Sequence, residues 1–117
     1  MSESILQEKA YNFALRIVRL SEFLNNKQKE FVLARKVLDS GTAVAVFVEE
    51  ARQSHDHADF ISRYSLANKE AFKTNLWLRI LRDTEFVGIK LSESLLEDCT
   101  ELQKMLISSL KTARARG

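Results

Sequence analysis

Few side chains in this sequence are spaced for chemistry. His55-Asp56-His57, with Asp59 just beyond, offers nitrogen and oxygen ligands within one short stretch. Histidines two residues apart on a helix point to different faces. Ser54 or Asp56 is well placed to cap a helix that starts here. The cluster therefore reads as a capped, solvated turn, with no metal implied. Glu49-Glu50 is the one acidic pair beside an apolar stretch. Adjacent helical residues diverge by about 100°, a poor geometry for a catalytic dyad. The pair either marks a return to solvent or meets an arginine of a neighbouring subunit. Cys99 sits among leucines and reads as an inert buried thiol. The sequence has no paired Glu-x-x-His ligands, no glycine-rich phosphate loop and no nucleophile motif. No catalytic residue, cofactor, metal or small-molecule substrate is inferred, and the chain is read as a non-enzyme.

What remains is charge. Lys9, Asn12, Arg16 and Arg19 form a stripe at helical spacing. Such a stripe is either the solvated flank of an amphipathic helix or a ridge that contacts phosphates. Near the other terminus, Glu93, Glu97, Asp98 and Glu101 precede Lys104, Lys111, Arg114 and Arg116. This order complements a helix macrodipole, and it also leaves a basic tail. The candidate phosphate contacts are Lys9, Arg16, Arg19, Lys111, Arg114 and Arg116.

The elements that must position these charges are helices. The chain has 117 residues, no proline, three glycines and one cysteine, a composition that fits a single all-α domain in a reducing compartment. A net charge of +2 permits nucleic acid without calling for it. No apolar run is long enough to span a bilayer, and the N-terminus lacks the pattern of a signal peptide. A cytoplasmic location and no membrane partner are expected.

A first helix is predicted from about Ser4 to Asn25, with Ser4 and Gln7 as a capping box and Asn25-Asn26 as its stop. Its seam is Leu6, Ala10, Phe13, Ile17, Leu20 and Leu24. A second helix runs from about Lys27 to Gln53 on the seam Phe31, Ala34, Leu38, Gly41, Ala45 and Val48. Gly41 and its small neighbours imply close approach of another helix backbone. From Gly41 to Val48 this helix is apolar all round, so it must be covered all round. The alternating Val44, Val46 and Val48 would also suit a buried strand, but the seam steps by three and four through them.

A third helix, about His57 to Asp83, has the seam Phe60, Tyr64, Ala67, Ala71, Thr74, Leu78 and Leu81. Its back is apolar too: Phe72, Leu76 and Ile80 are spaced by four, flanked by Leu66 and Trp77. Either the fourth helix covers this patch or another copy of the chain does, and self-association is preferred. Thr84 to Leu91, with Gly88 for a turn, is the longest expected connection. The fourth helix, about Ser92 to Thr112, faces the core with Leu95, Cys99, Leu102, Leu106 and Leu110. Long helices with short connections give an antiparallel up-down-up-down four-helix bundle.

The ordered set Ser40-Gly41-Thr42, Val48-Glu49-Glu50-Ala51, Ser54, Asp59-Phe60-Ile61, Ser65-Leu66-Ala67, Lys69-Glu70-Ala71, Thr74 and Trp77-Leu78 resembles the bacterial 23S rRNA-intervening-sequence protein family. The resemblance implies an antiparallel four-helix bundle and assembly as a ring-shaped homopentamer; no enzymatic activity is established for the family. A related branch, the accessory protein of diversity-generating retroelements, works with a reverse transcriptase and nucleic acid. Binding of RNA or another nucleic acid is therefore expected of this chain, with a protein-binding scaffold as the rival reading. The sequence departs from the family pattern at Ala43, Ala45 and Phe47, where Ser, Gly and Asn are usual, and at Lys73, where an acid is common. The expected subunit interface comprises Phe47, Leu66, Phe72, Leu76, Trp77 and Ile80.

Overall fold

The computed structural model describes residues 2–117, with side chains from Ser4 onward. Four helices account for nearly all of it: α1 Ser2–Asn26, α2 Val32–Arg52, α3 His57–Asp83 and α4 Ile89–Arg116. The segment with alternating valines is helical throughout, so the strand alternative is excluded. Hydrogen bonds fix the topology. Ser21 Oγ donates to Ala34 O across α1 and α2, and Thr74 Oγ1 donates to Ser40 Oγ across α2 and α3. Asn75 Nδ2 donates to Gln103 Oε1 across α3 and α4, and Lys9 reaches Glu101 across α1 and α4. A second contact in each pair gives the direction: Gln7 with Glu49 beside Ser21 with Ala34, Arg63 with Glu50 beside Thr74 with Ser40, His57 with Ala113 beside Asn75 with Gln103, and Arg16 with Asp98 beside Lys9 with Glu101. All run in opposite order along the two helices, so neighbours are antiparallel in an up-down-up-down bundle of 46 × 20 × 20 Å. Among the described residues only sequential neighbours and the closing α1–α4 pair touch, and α1–α4 is the loosest of these contacts.

The expected seams of α1, α3 and α4 are the observed core, except that Phe60 is only half-buried. In α2 the core track is Ala34, Val37, Gly41, Val44, Val48 and Ala51. Leu38 and Ala45, expected in the seam, flank it, and Phe31 is 62% exposed. Both tracks share Ala34, Gly41 and Val48, so periodicity alone does not separate them. Nor is the apolar segment covered all round, because Val46 is 51% exposed. Gly41 makes a close approach, but to a side chain rather than to a helix backbone. A Cβ built there would lie 2.8 Å from Ile17 Cγ2 and 2.9 Å from Ile17 Cγ1.

Helix ends differ from expectation for identifiable reasons. Ser4 lies inside α1, and Gln7 Nε2 donates to Glu49 Oε1 instead of closing a capping box. The left-handed residue after α1 is Lys29, at φ 55°, not an asparagine, so α2 starts at Val32 rather than Lys27. Glu30 Oε1 accepts from Leu33 N at 2.6 Å and serves as the acceptor that Phe31 lacks. Asp56 caps α3 by accepting from Asp59 N at 2.8 Å. After α3 the left-handed position is Glu85, at φ 65°, and Gly88 is extended. α4 therefore begins three residues earlier than expected, and it continues to Arg116.

Candidate interaction surfaces

The structure separates the candidate cations into three groups. Lys9 Nζ pairs with Glu101 Oε1 at 3.1 Å. Arg16 Nη1 pairs with Asp98 Oδ2 at 2.7 Å while its Nη2 donates to Ser94 Oγ at 3.0 Å. These two side chains lie across the α1–α4 seam and stitch it, each pair contributing at most about 1 kcal/mol in this half-exposed setting. Arg19 is exposed and has no partner among the described residues. With α1 and α4 antiparallel, it lies roughly 30 Å from Lys111 along the bundle axis. Lys111, Arg114 and Arg116 share the last turns of α4, where Arg114 Nη2 donates to Ser65 Oγ at 3.3 Å.

From Leu102 onward α4 carries Lys104, Lys111, Arg114 and Arg116 and no carboxylate. None of these four cations has an ion pair among the described residues. Between this part of α4 and the first turn of α3 lies an open groove of about 630 Å³. His57 closes one end: its Nε2 sits 2.7 Å from Ala113 O. A carbonyl only accepts, so this nitrogen donates and the ring is held against the end of α4. Sequence reasoning missed the groove, because it exists only where α3 and α4 meet.

The apolar face of α3 is left uncovered by α4. Phe72 is 53% and Leu76 43% exposed. Leu66 and Ile80 are half-buried, while Phe47 and Trp77 are half-buried against the core. Asn68, one turn before Phe72, buries Oδ1 with no hydrogen-bond donor. A second outward stripe on α1, Tyr11, Leu15 and Val18, was not anticipated. Its signal was present as a four-then-three spacing beside the stronger seam.

The remaining reactive groups are occupied locally. Glu50 pairs with Arg63 of the same chain at 3.2 Å, and Arg63 also reaches Asp59 at 3.4 Å. Burial, reinforced by nearby Asp98, pushes the Cys99 thiol up to about 12. Its Sγ donates to Ala71 O at 3.3 Å. Among the described residues no group of three or more His, Cys, Asp or Glu could hold a metal ion. No helix among the described residues is long and apolar enough to cross a membrane.

Similarity to known proteins can be set beside this geometry. A family model described as 23S rRNA-intervening sequence protein matches residues 2–108. The solved structure of a protein of unknown function from the S23 ribosomal protein family of Bacteroides thetaiotaomicron superposes with a TM-score of 0.93. It is 42% identical, and the match covers 95% of this chain and 99% of that one. No curated protein matches the chain. The matched span of the family model stops before Lys111, Arg114 and Arg116.

Proposed function

The chain belongs to the 23S rRNA-intervening sequence protein family, and from that premise we propose that it is a non-catalytic, self-associating bundle that binds RNA through the basic end of α4. The observation that carries the RNA reading is the run after Glu101. Four cations with no carboxylate among them, and no ion pair among the described residues, leave positive charge free to meet phosphate. Lys9 and Arg16 contribute little to such a surface, because each is already paired. Self-association is supported by the open apolar face of α3. Phe72 and Leu76 would form its centre, with Leu66, Ile80, Phe47 and Trp77 around them, as aromatic and aliphatic anchors do in interfaces. Five copies, the number the family resemblance implies, would present the basic end five times and raise avidity without any new contact.

The test is a titration with structured ribosomal RNA fragments across a range of salt, run beside sedimentation. Three phosphate contacts per subunit, from Lys111, Arg114 and Arg116, predict a slope between about −2 and −3 on logarithmic axes, the shallower value for single-stranded and the steeper for paired regions. That is about a 20- to 40-fold loss of affinity between 50 and 200 mM salt. Replacing the three residues with Gln should flatten the slope. Failure to bind at low salt would remove the RNA reading and leave a protein-binding scaffold. A monomer by sedimentation would remove the interface.

A further inference from the structure

The groove between α3 and α4 has a chemical pattern of its own. Lys104, Ser108, Thr112 and Arg116 line it at intervals of four, one helical ridge about 18 Å long with a cation at each end. The opposite wall carries Phe60, whose ring lies 4.4 Å from that of Tyr64, centroid to centroid, and is tilted by 41°. Met105 adds an apolar patch beside it. No described carboxylate lines the groove.

The hydroxyls add to this pattern. Thr42 and Thr74, inside α2 and α3, and Thr84, just past α3, donate to the carbonyl four residues back, Thr42 to Leu38 at 2.7 Å, Thr74 to Glu70 at 2.8 Å and Thr84 to Ile80 at 2.7 Å, whereas the exposed Thr100 of α4 does not. Ser108 and Thr112 make no hydrogen bond with any described residue. A polar ridge with unspent donors, cations at both ends and an aromatic wall matches the two faces of a single-stranded nucleic acid. Backbone phosphates take the charge and hydroxyl donors, and an unstacked base takes the ring. A duplex keeps its bases stacked inside and has nothing to offer Phe60.

We infer that this groove is a subsite for a few nucleotides of single-stranded RNA, with phosphates along the Lys104–Arg116 ridge and a base against Phe60. The inference rests on the RNA reading above and deepens it, since it selects strand over duplex and adds Lys104 and Phe60 to the contacts. The groove takes its occupant from solution, so a free oligonucleotide and an unpaired end of a folded RNA share the same chemistry.

The test uses the full chain, labelled with ¹⁵N, titrated at low salt with hexaadenylate and, separately, with a 12-base-pair RNA duplex. A folded RNA with an unpaired six-nucleotide tail, compared with its blunt form, distinguishes the two sources. Hexaadenylate should shift the amides of the first turn of α3 and of 104–116, and should bind at least fivefold tighter than the duplex. Lys104→Gln, at an exposed and unpartnered position, should weaken the single strand about fivefold. Phe60→Leu keeps apolar volume in the wall and should erase most of the preference for single strand, since stacking on an aromatic ring is lost. Equal affinity for strand and duplex, or shifts confined to the outer face around Lys111 and Arg114, would overturn the subsite while leaving the RNA reading standing. No binding of either RNA would overturn both. Far-UV circular dichroism of each variant checks that it is folded before its titration is read.

Discussion

Replacing Gly41 with alanine sets two effects against each other. Alanine is favoured over glycine in a helix interior by about 1 kcal/mol. Against that, the new Cβ would sit 2.8 and 2.9 Å from the Cγ atoms of Ile17 and 3.2 Å from its Cβ. Carbon contacts are comfortable at about 3.5–4.0 Å, so one helix must give by roughly 0.7 Å. Ile17 is fully buried, and a β-branched side chain in a helix has one strongly preferred rotamer, so it cannot swing aside. Overpacking of this kind costs about 1–3 kcal/mol. The net expectation is a destabilisation of about 1 kcal/mol. A double-mutant cycle sharpens it. Ile17→Ala alone should cost about 3 kcal/mol through transfer and cavity terms. In the Gly41→Ala background it should cost less by about 1–2 kcal/mol, because the clash is relieved and the void partly filled. The assay is urea denaturation of all four proteins at one fixed protein concentration, since the proposed self-association would couple to stability. Additivity within about 0.5 kcal/mol, or a Gly41→Ala protein more stable than the parent by the full propensity gain, would refute the packing argument.

Four further outcomes are expected. Lys29 occupies the left-handed region at φ 55°, where a non-glycine residue pays about 1–2 kcal/mol, so Lys29→Gly should stabilise the chain by up to about 1 kcal/mol in the same urea assay. Leu76→Glu should shift sedimentation toward the monomer while leaving far-UV circular dichroism unchanged; an unaltered assembly would move the interface to another face, with Tyr11, Leu15 and Val18 the next to test. Cys99, fully buried and with its thiol pushed up to about 12, should resist a thiol reagent at pH 8 in the folded protein and react once urea is added. The same shift makes the native state the stronger proton binder, so its contribution to stability is complete below about pH 8.5 and is lost as pH rises toward 12; a Cys99→Ala variant should lose less stability over that interval.

Much of this architecture was legible because the residues that carry it are large and regularly spaced. Phe13, Ile17 and Leu24, or Tyr64, Leu78 and Leu81, leave no doubt about which face of their helix is buried. α2 misled because Ala34, Gly41 and Val48 belong equally to two tracks, and only packing against its neighbours chose Val37 and Val44 over Leu38 and Ala45. The connections were hard to place because Lys29 and Glu85 take the backbone conformation normally assigned to glycine or asparagine, and no compositional signal marks them. The outward Phe72 and Leu76 were visible as a second period on one helix. The fate of Lys9 and Arg16 was not, since their partners lie more than 75 residues away and pair only after the bundle closes. The groove failed for the same reason, being shared by two helices.

The order in which the helices touch bears on how the chain folds. α1–α2, α2–α3 and α3–α4 are hairpins formed between neighbours in sequence, and α1–α4 is the one closure that spans the chain. Topologies dominated by such local contacts fold in microseconds to milliseconds, and with no proline there is no isomerisation to add a slow phase. The α1–α4 closure is held partly by solvent-accessible ion pairs that salt screens. Raising ionic strength should therefore loosen α1 from α4 before the three hairpins part, and amide exchange of the α1 face toward α4 should quicken while the α2–α3 centre stays protected. The bundle then behaves as a three-hairpin core with a salt-tuned clasp.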